Sequence, residues 1–155
     1  MDLPWQVHAA DIALALALLV SVITDLRSRL ILNAVTLPAL AVVLVCFFWV
    51  GGPEQLLNCL IGLAICAAPL LLLHLWKREA MGAGDIKLMA VSGATAGWPA
   101  AVAVLLYVSV AGGIQAILWI IAAKLRGQDR PKYVPYGLSI AAGTAAAFFW
   151  GDHFF

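Results

Sequence analysis

Charged residues are so sparse in this chain that they divide it into apolar runs of membrane-crossing length. No Asp, Glu, Lys or Arg occurs in residues 12–24, 30–53, 55–76, 88–123 or 133–151. A bilayer-crossing helix needs about 20 apolar residues. Within the hydrocarbon layer every backbone N–H and C=O must find its partner inside the protein, which leaves helices and closed barrels. The runs are continuous rather than alternating, so a barrel is excluded. Of the 155 residues, 65% are hydrophobic and 11% charged, against about 25% charged in an ordinary soluble domain. That is too little polar surface to coat a water-exposed globule, and no basic face exists to hold nucleic acid. The expectation is an all-α, polytopic integral membrane protein, one domain over residues 1–155, in contact with membrane lipid.

The longest run sets the number of crossings. Residues 88–123 as one straight helix would extend about 54 Å at 1.5 Å per residue, while the hydrocarbon core is only about 30 Å thick. Gly97-Trp98-Pro99 lies inside the run and reads as a turn, because proline blocks continuation of the preceding helix. Splitting there gives a short fourth helix over 85–97 and a longer one over 99–123. The first run is read as a retained helix starting near Trp5, since residues 1–11 lack the basic region of a signal peptide. The basic residues then decide the topology. All nine fall in three places: Arg27 and Arg29; Lys77, Arg78 and Lys87; Lys124, Arg126, Arg130 and Lys132. Basic loops collect on the cytoplasmic side. Six helices with both termini outside put all three there, whereas five would turn the richest loop outward.

Two acidic residues differ from the rest. Asp25 closes the first apolar run and Asp85 opens the short fourth helix in Met81-Gly82-Ala83-Gly84-Asp85-Ile86-Lys87-Leu88. The charge-derived topology brings both to the cytoplasmic boundary. An ionisable group at membrane depth marks a functional site by default. Two carboxyls sharing a site suit acid–base chemistry, one ionised and acting as base on a water, the other protonated and donating to a carbonyl. Gly82 and Gly84 lack a Cβ and permit close approach of a substrate backbone or a second helix. Each feature also has a plain structural reading. Gly-x-Gly-Asp alone reads as a helix cap, and Arg27 and Lys87 read as headgroup anchors. Cys46, Cys59 and Cys66 lie in apolar runs with no Cys-x-x-Cys spacing, so neither a metal nor another cofactor is expected.

The combination resembles the type IV prepilin peptidase family, most closely its short Tad/Flp-pilus type. Three motifs carry the likeness: Thr24-Asp25-Leu26-Arg27-Ser28-Arg29 with Asn33 after it, the Gly-Ala-Gly-Asp string around Asp85, and Val134-Pro135-Tyr136-Gly137 before the last apolar run. The resemblance implies a GxGD intramembrane aspartyl endopeptidase with Asp25 and Asp85 catalytic. It further implies cleavage at the cytoplasmic face of the bacterial inner membrane, and a prepilin or pseudopilin substrate with a basic leader and an apolar helix. Gly82, Gly84, Arg27, Lys87, Asn33, Pro135, Tyr136 and Gly137 are the supporting or substrate-contacting candidates. Leu32 stands where the family usually has proline, which alters the first connection rather than the chemistry. The Cys-rich insertion and N-methyltransferase activity of longer members are not expected here. The rival readings are a proton- or ion-coupled transporter using the two aspartates, and a non-catalytic pilus assembly factor.

The charge pattern makes the topology directly measurable. Reporters inserted in the 51–55 turn are expected outside, and reporters in 125–132 in the cytoplasm. Reporters at both places giving the same side would overturn the arrangement.

Overall fold

A computed structural model describes residues 5–28, 30–77, 81–126 and 135–150 of the chain. Among these are five helices and no strand: α1 (Trp5–Ser28), α2 (Asn33–Trp76), α3 (Ala83–Ala96), α4 (Ala100–Leu125) and α5 (Tyr136–Trp150). By length and composition α1, α2 and α4 can each cross a membrane. Both chain ends, Arg29, residues 78–80, and residues 127–134 with Asp129, Arg130, Lys132 and Val134 lie outside the described residues.

The charge pattern leads to six helices and the structure has five, because the Gly51-Gly52-Pro53 turn is absorbed into α2. This helix has 44 residues and would reach about 66 Å if straight. Gly52 alone leaves the helical conformation, at φ 63° and ψ −149°, a region that only glycine adopts readily. Pro53 follows, where a helix start tolerates the missing N–H. The chain reverses at this point. Asn33, the first residue of α2, accepts a 2.7 Å bond from Lys87 near the start of α3. His74, close to the last, lies 2.8 Å from the Met81 carbonyl just before α3. Asn58 instead accepts the Trp98 N–H beyond the far end of α3. Both ends of α2 therefore meet the beginning of α3, and its arms, 33–51 and 53–76, run antiparallel. The second turn falls where the sequence puts it: α3 stops at Ala96, Gly97 takes φ 67°, and α4 begins at Ala100.

Helix α3 is the centre of the bundle. Among the described residues it is the one helix in contact with all four others, and every residue from Leu88 to Thr95 is buried. Its 14 residues are too few to cross the hydrocarbon layer against lipid, about 21 Å against about 30 Å. Enclosure by other helices removes that requirement. Small residues allow the enclosure to be tight. A Cβ on Gly62 would strike the Gly93 carbonyl oxygen, and one on Gly93 the Gly62 carbonyl oxygen, so α2 and α3 meet backbone to backbone. Gly143 of α5 meets the Val108 backbone of α4 in the same way. Buried Cys66 donates its Sγ–H to the Ala101 carbonyl at 3.3 Å. Large apolar side chains such as Leu16, Leu19, Leu72, Leu118 and Phe149 cover the outside, as a lipid-facing surface requires.

One end of the bundle thus collects the end of α1, both ends of α2 and the beginnings of α3 and α5. The described basic residues Arg27, Lys77, Lys87, Lys124 and Arg126 sit at this end or on the part of α4 that continues past it. The Gly62–Gly93 crossing yields a stability test. Gly62→Val is expected to destabilise the solubilised protein by about 2 kcal/mol or more, the scale of overpacking a close contact. Ala41→Val, exposed on the same helix, should stay within about 0.5 kcal/mol. Thermal unfolding in detergent measures both, and equal effects would refute the crossing.

Candidate active site

The two aspartates singled out by sequence come together at the collecting end. Asp25 projects from the last turn of α1 and is 2% exposed; Asp85 lies in the first turn of α3 and is 8% exposed. They are near enough for the Asp25 charge to bear on the Asp85 carboxyl. Each carboxylate accepts a main-chain bond from a glycine. The Gly137 N–H, at the start of α5, donates to Asp25 Oδ2 at 2.9 Å. The Gly82 N–H donates to Asp85 Oδ2 at 3.2 Å. The plain reading makes Asp85 the N-cap itself; in the structure the N-cap is Gly82, and Asp85, three residues on, returns its carboxylate to the N-cap N–H. The same carboxylate also lies within electrostatic range of a second one, which a cap does not need.

The glycines earn their positions sterically. A Cβ on Gly137 would lie 2.9 Å from Asp25 Oδ2 and 3.2 Å from Asp25 Cβ, so a side chain there would push the carboxylate from its donor. A Cβ on Gly84 would come within 2.6 Å of the Ile31 Cβ and 3.2 Å of the Ile31 carbonyl. The sequence suggests that Gly84 admits a substrate backbone or the first helix; in the structure its close neighbour is the connection between α1 and α2. That connection also carries Leu32, in the place where a proline is expected.

The remaining sequence candidates fall in three places. Lys87 and Asn33 bond to each other, which pins α2 to α3 beside Asp85. Pro135 and Gly137 are buried, and Tyr136 is half-buried between them. Arg27 is exposed in the last turn of α1, away from this hydrogen-bonded cluster and in keeping with a headgroup anchor.

Two contributors, Gln115 and His74, have partners that sequence reasoning does not give. Gln115 of α4 donates through Nε2 to the Pro135 carbonyl at 2.8 Å and accepts the Ser139 hydroxyl through Oε1. It thereby clamps the first turn of α5, whose Gly137 N–H holds Asp25. His74 must donate through Nδ1, because its partner, the Met81 carbonyl, is only an acceptor. It fixes the residue before Gly82. A lone Gln or His in an apolar run is a signal that a partner exists, but the run does not say where. No group of three or more His, Cys, Asp and Glu able to hold a metal occurs among the described residues.

Fold and site define a helical membrane bundle with a paired-carboxylate centre at one end. The chain belongs to the type IV leader peptidase family, whose model matches residues 12–117. That stretch contains both aspartates and ends before α5. The chain is 30% identical to the prepilin leader peptidase/N-methyltransferase of Xanthomonas campestris pv. campestris, covering 96% of this chain and 52% of that protein. It is 31% identical to the protein of that name from Legionella pneumophila, over 90% of this chain and 49% of the relative. With the one from Aeromonas hydrophila it shares 34% identity over 96% and 51%. The chain spans about half the length of these curated relatives. No solved structure matches it.

The Gln115 clamp is testable without an activity assay. Gln115→Leu leaves the Ser139 hydroxyl and the Pro135 carbonyl without their partner, a loss of about 1–3 kcal/mol. Thermal unfolding of the solubilised variant measures it. Stability equal to that of the parent would mean that the clamp is unimportant.

Proposed function

We propose that this chain is an intramembrane aspartyl endopeptidase that removes the leader of type IV prepilin-like proteins at the cytoplasmic face of the bacterial inner membrane. One observation carries the proposal: two buried carboxylates, 60 positions apart in sequence, lie at one end of a bundle whose family is that of the leader peptidases. The names of the relatives support the substrate class. The motifs quoted above favour prepilins of the Tad/Flp type. The proposal concerns peptide cleavage alone.

The chemistry uses the pair as a unit. The ionised carboxyl takes a proton from a water, and the water oxygen bonds to the scissile carbonyl carbon. The protonated carboxyl donates to the carbonyl oxygen as it gains charge. Collapse breaks the C–N bond, and the leaving amine takes up a proton from the pair. The protonation states belong to both aspartates together. No metal or organic cofactor enters the reaction.

The topology proposed for this role has six crossings, with the arms of α2 counted separately, α3 enclosed, and both termini outside. The basic residues at the aspartate end support a cytoplasmic placement of the site. The substrate would present its basic leader to the aqueous side and its apolar helix to the bilayer.

Asp25→Asn and Asp85→Asn are each expected to lower leader cleavage at least about a thousandfold, within the range general acid–base groups supply, while the protein remains folded in the membrane. Glu54→Gln, at the opposite end, should cleave like the parent. The assay is cleavage of a prepilin-like substrate at matched expression, and near-parental cleavage by either Asn variant removes the pair from the mechanism. A transporter or an assembly factor would give no cleavage in the parent either. Because the pair needs one carboxyl in each state, the rate of the parent should fall on both the acid and the alkaline side of a maximum.

A further inference from the structure

Beside the aspartates lies a cavity of about 270 Å³ between the second arm of α2, α3, α4 and α5. Met81, Met89, Tyr136, Gly112, Gly113 and Leu105 are among the residues that line it. Two of these residues tie the cavity to the site. Met81 precedes Gly82, whose N–H holds Asp85, and Tyr136 precedes Gly137, whose N–H holds Asp25. From Ala116 to Leu105 the cavity follows α4 for about 16 Å, away from the aspartate end.

The lining defines the chemistry of the occupant. The one hydroxyl that α4 contributes, that of Ser109, donates to the Leu105 carbonyl of its own helix at 2.7 Å, so it does not seek a partner in the cavity. Ser109 and Gly113 are exposed, so the cavity opens sideways past α4, along a stretch of apolar helix that faces lipid. A cavity of about 150 Å³ with apolar walls holds a benzene molecule, and this one has room for one or two large apolar side chains. The twin glycines make that room. A Cβ on Gly113 would meet nothing within 4 Å, and one on Gly112 nothing closer than 3.8 Å, at Tyr136.

We propose that this cavity binds large apolar side chains of the substrate's membrane-embedded segment, in the first turns beyond the scissile bond, and so sets which bond reaches the aspartates. The assignment rests on the peptidase function proposed above. A substrate helix approaching within the bilayer meets the open side at Gly113, and its bond nearest the aqueous phase then lies at the level of Met81 and Tyr136. Any lipid chain occupying the space in the resting protein would be displaced.

The test uses the full chain reconstituted in phosphatidylcholine vesicles. The substrates are two synthetic prepilin-like polypeptides, identical except that the first two turns beyond the cleavage point carry either leucines or alanines. The parent should prefer the leucine version by about tenfold in KM, the lower end of what apolar pocket contacts discriminate. Gly113→Leu fills the cavity from within and should erase that preference, raising KM for the leucine version about tenfold with kcat within about twofold. As a second measurement, Gly113→Cys should form a disulfide with a cysteine placed in those two turns. The assignment falls if the parent does not distinguish the substrates, if Gly113→Leu cleaves the leucine version like the parent or loses kcat on both alike, or if no disulfide forms. It falls also if Gly113→Leu releases a co-purifying lipid but leaves KM unchanged, which would make the occupant a lipid chain. A parent that cleaves while Gly113 proves silent removes only the role of the cavity. A parent that cleaves neither polypeptide removes the peptidase reading as well.

Discussion

The enclosure of α3 is the constraint from which the rest of the arrangement follows. A helix of this length cannot satisfy a bilayer by itself, since its ends fall roughly 9 Å short of the hydrocarbon thickness. It can exist at membrane depth only when protein surrounds it, and it then needs small residues where neighbours press closest. Gly93 against Gly62 meets that need on one side. Ser92 and Thr95 return their hydroxyls to the carbonyls one turn back, and Thr144 of α5 donates to the Ser92 oxygen, so polar groups at the centre are occupied. The same shortness leaves Asp85, in the first turn, inside the protein rather than in the aqueous phase. A longer α3 would carry that carboxylate out of reach of Asp25.

Helix α1 supplies the other half. It runs toward the collecting end while α3 and α5 start there, so the last turn of one helix faces the first turns of two others. First turns have unsatisfied N–H groups, and a carboxylate on the facing helix end is their natural partner. Gly137 and Asp25 show that exchange directly. Lys87, near the same end, is tied to Asn33. Gln115 matters here because it reaches from α4, which otherwise has no part in holding the aspartates.

Much of this was legible in the residue order. The charge-free runs locate the apolar helices, Gly97-Trp98-Pro99 locates the break before α4, and the distribution of basic residues brings Asp25 and Asp85 to one end. The turn at Gly51-Gly52-Pro53 was legible as a reversal but not as a single-residue break, because helical hydrogen bonding on either side leaves only Gly52 outside the regular conformation. What could not be read was the partner of each isolated small or polar residue. Gly84 announces a close approach, yet nothing in the sequence selects Ile31. Gln115 and His74 stand in apolar surroundings that give their depth but not their direction. Such choices are set by helix rotation and crossing, which depend on all five helices at once.

The two donors that hold the aspartates belong to the peptide chain and not to side chains. They have no side-chain chemistry of their own, so the contacts rest on the path of the main chain and on the absence of a Cβ beside each carboxylate. A survey that truncates side chains one by one would register the aspartates, and would register the glycines only as places where bulk is forbidden. It would pass over the hydrogen bonds themselves. Two glycines therefore help to hold the carboxylates in place, and the shape of the main chain, rather than its decoration, carries that part of the inheritance.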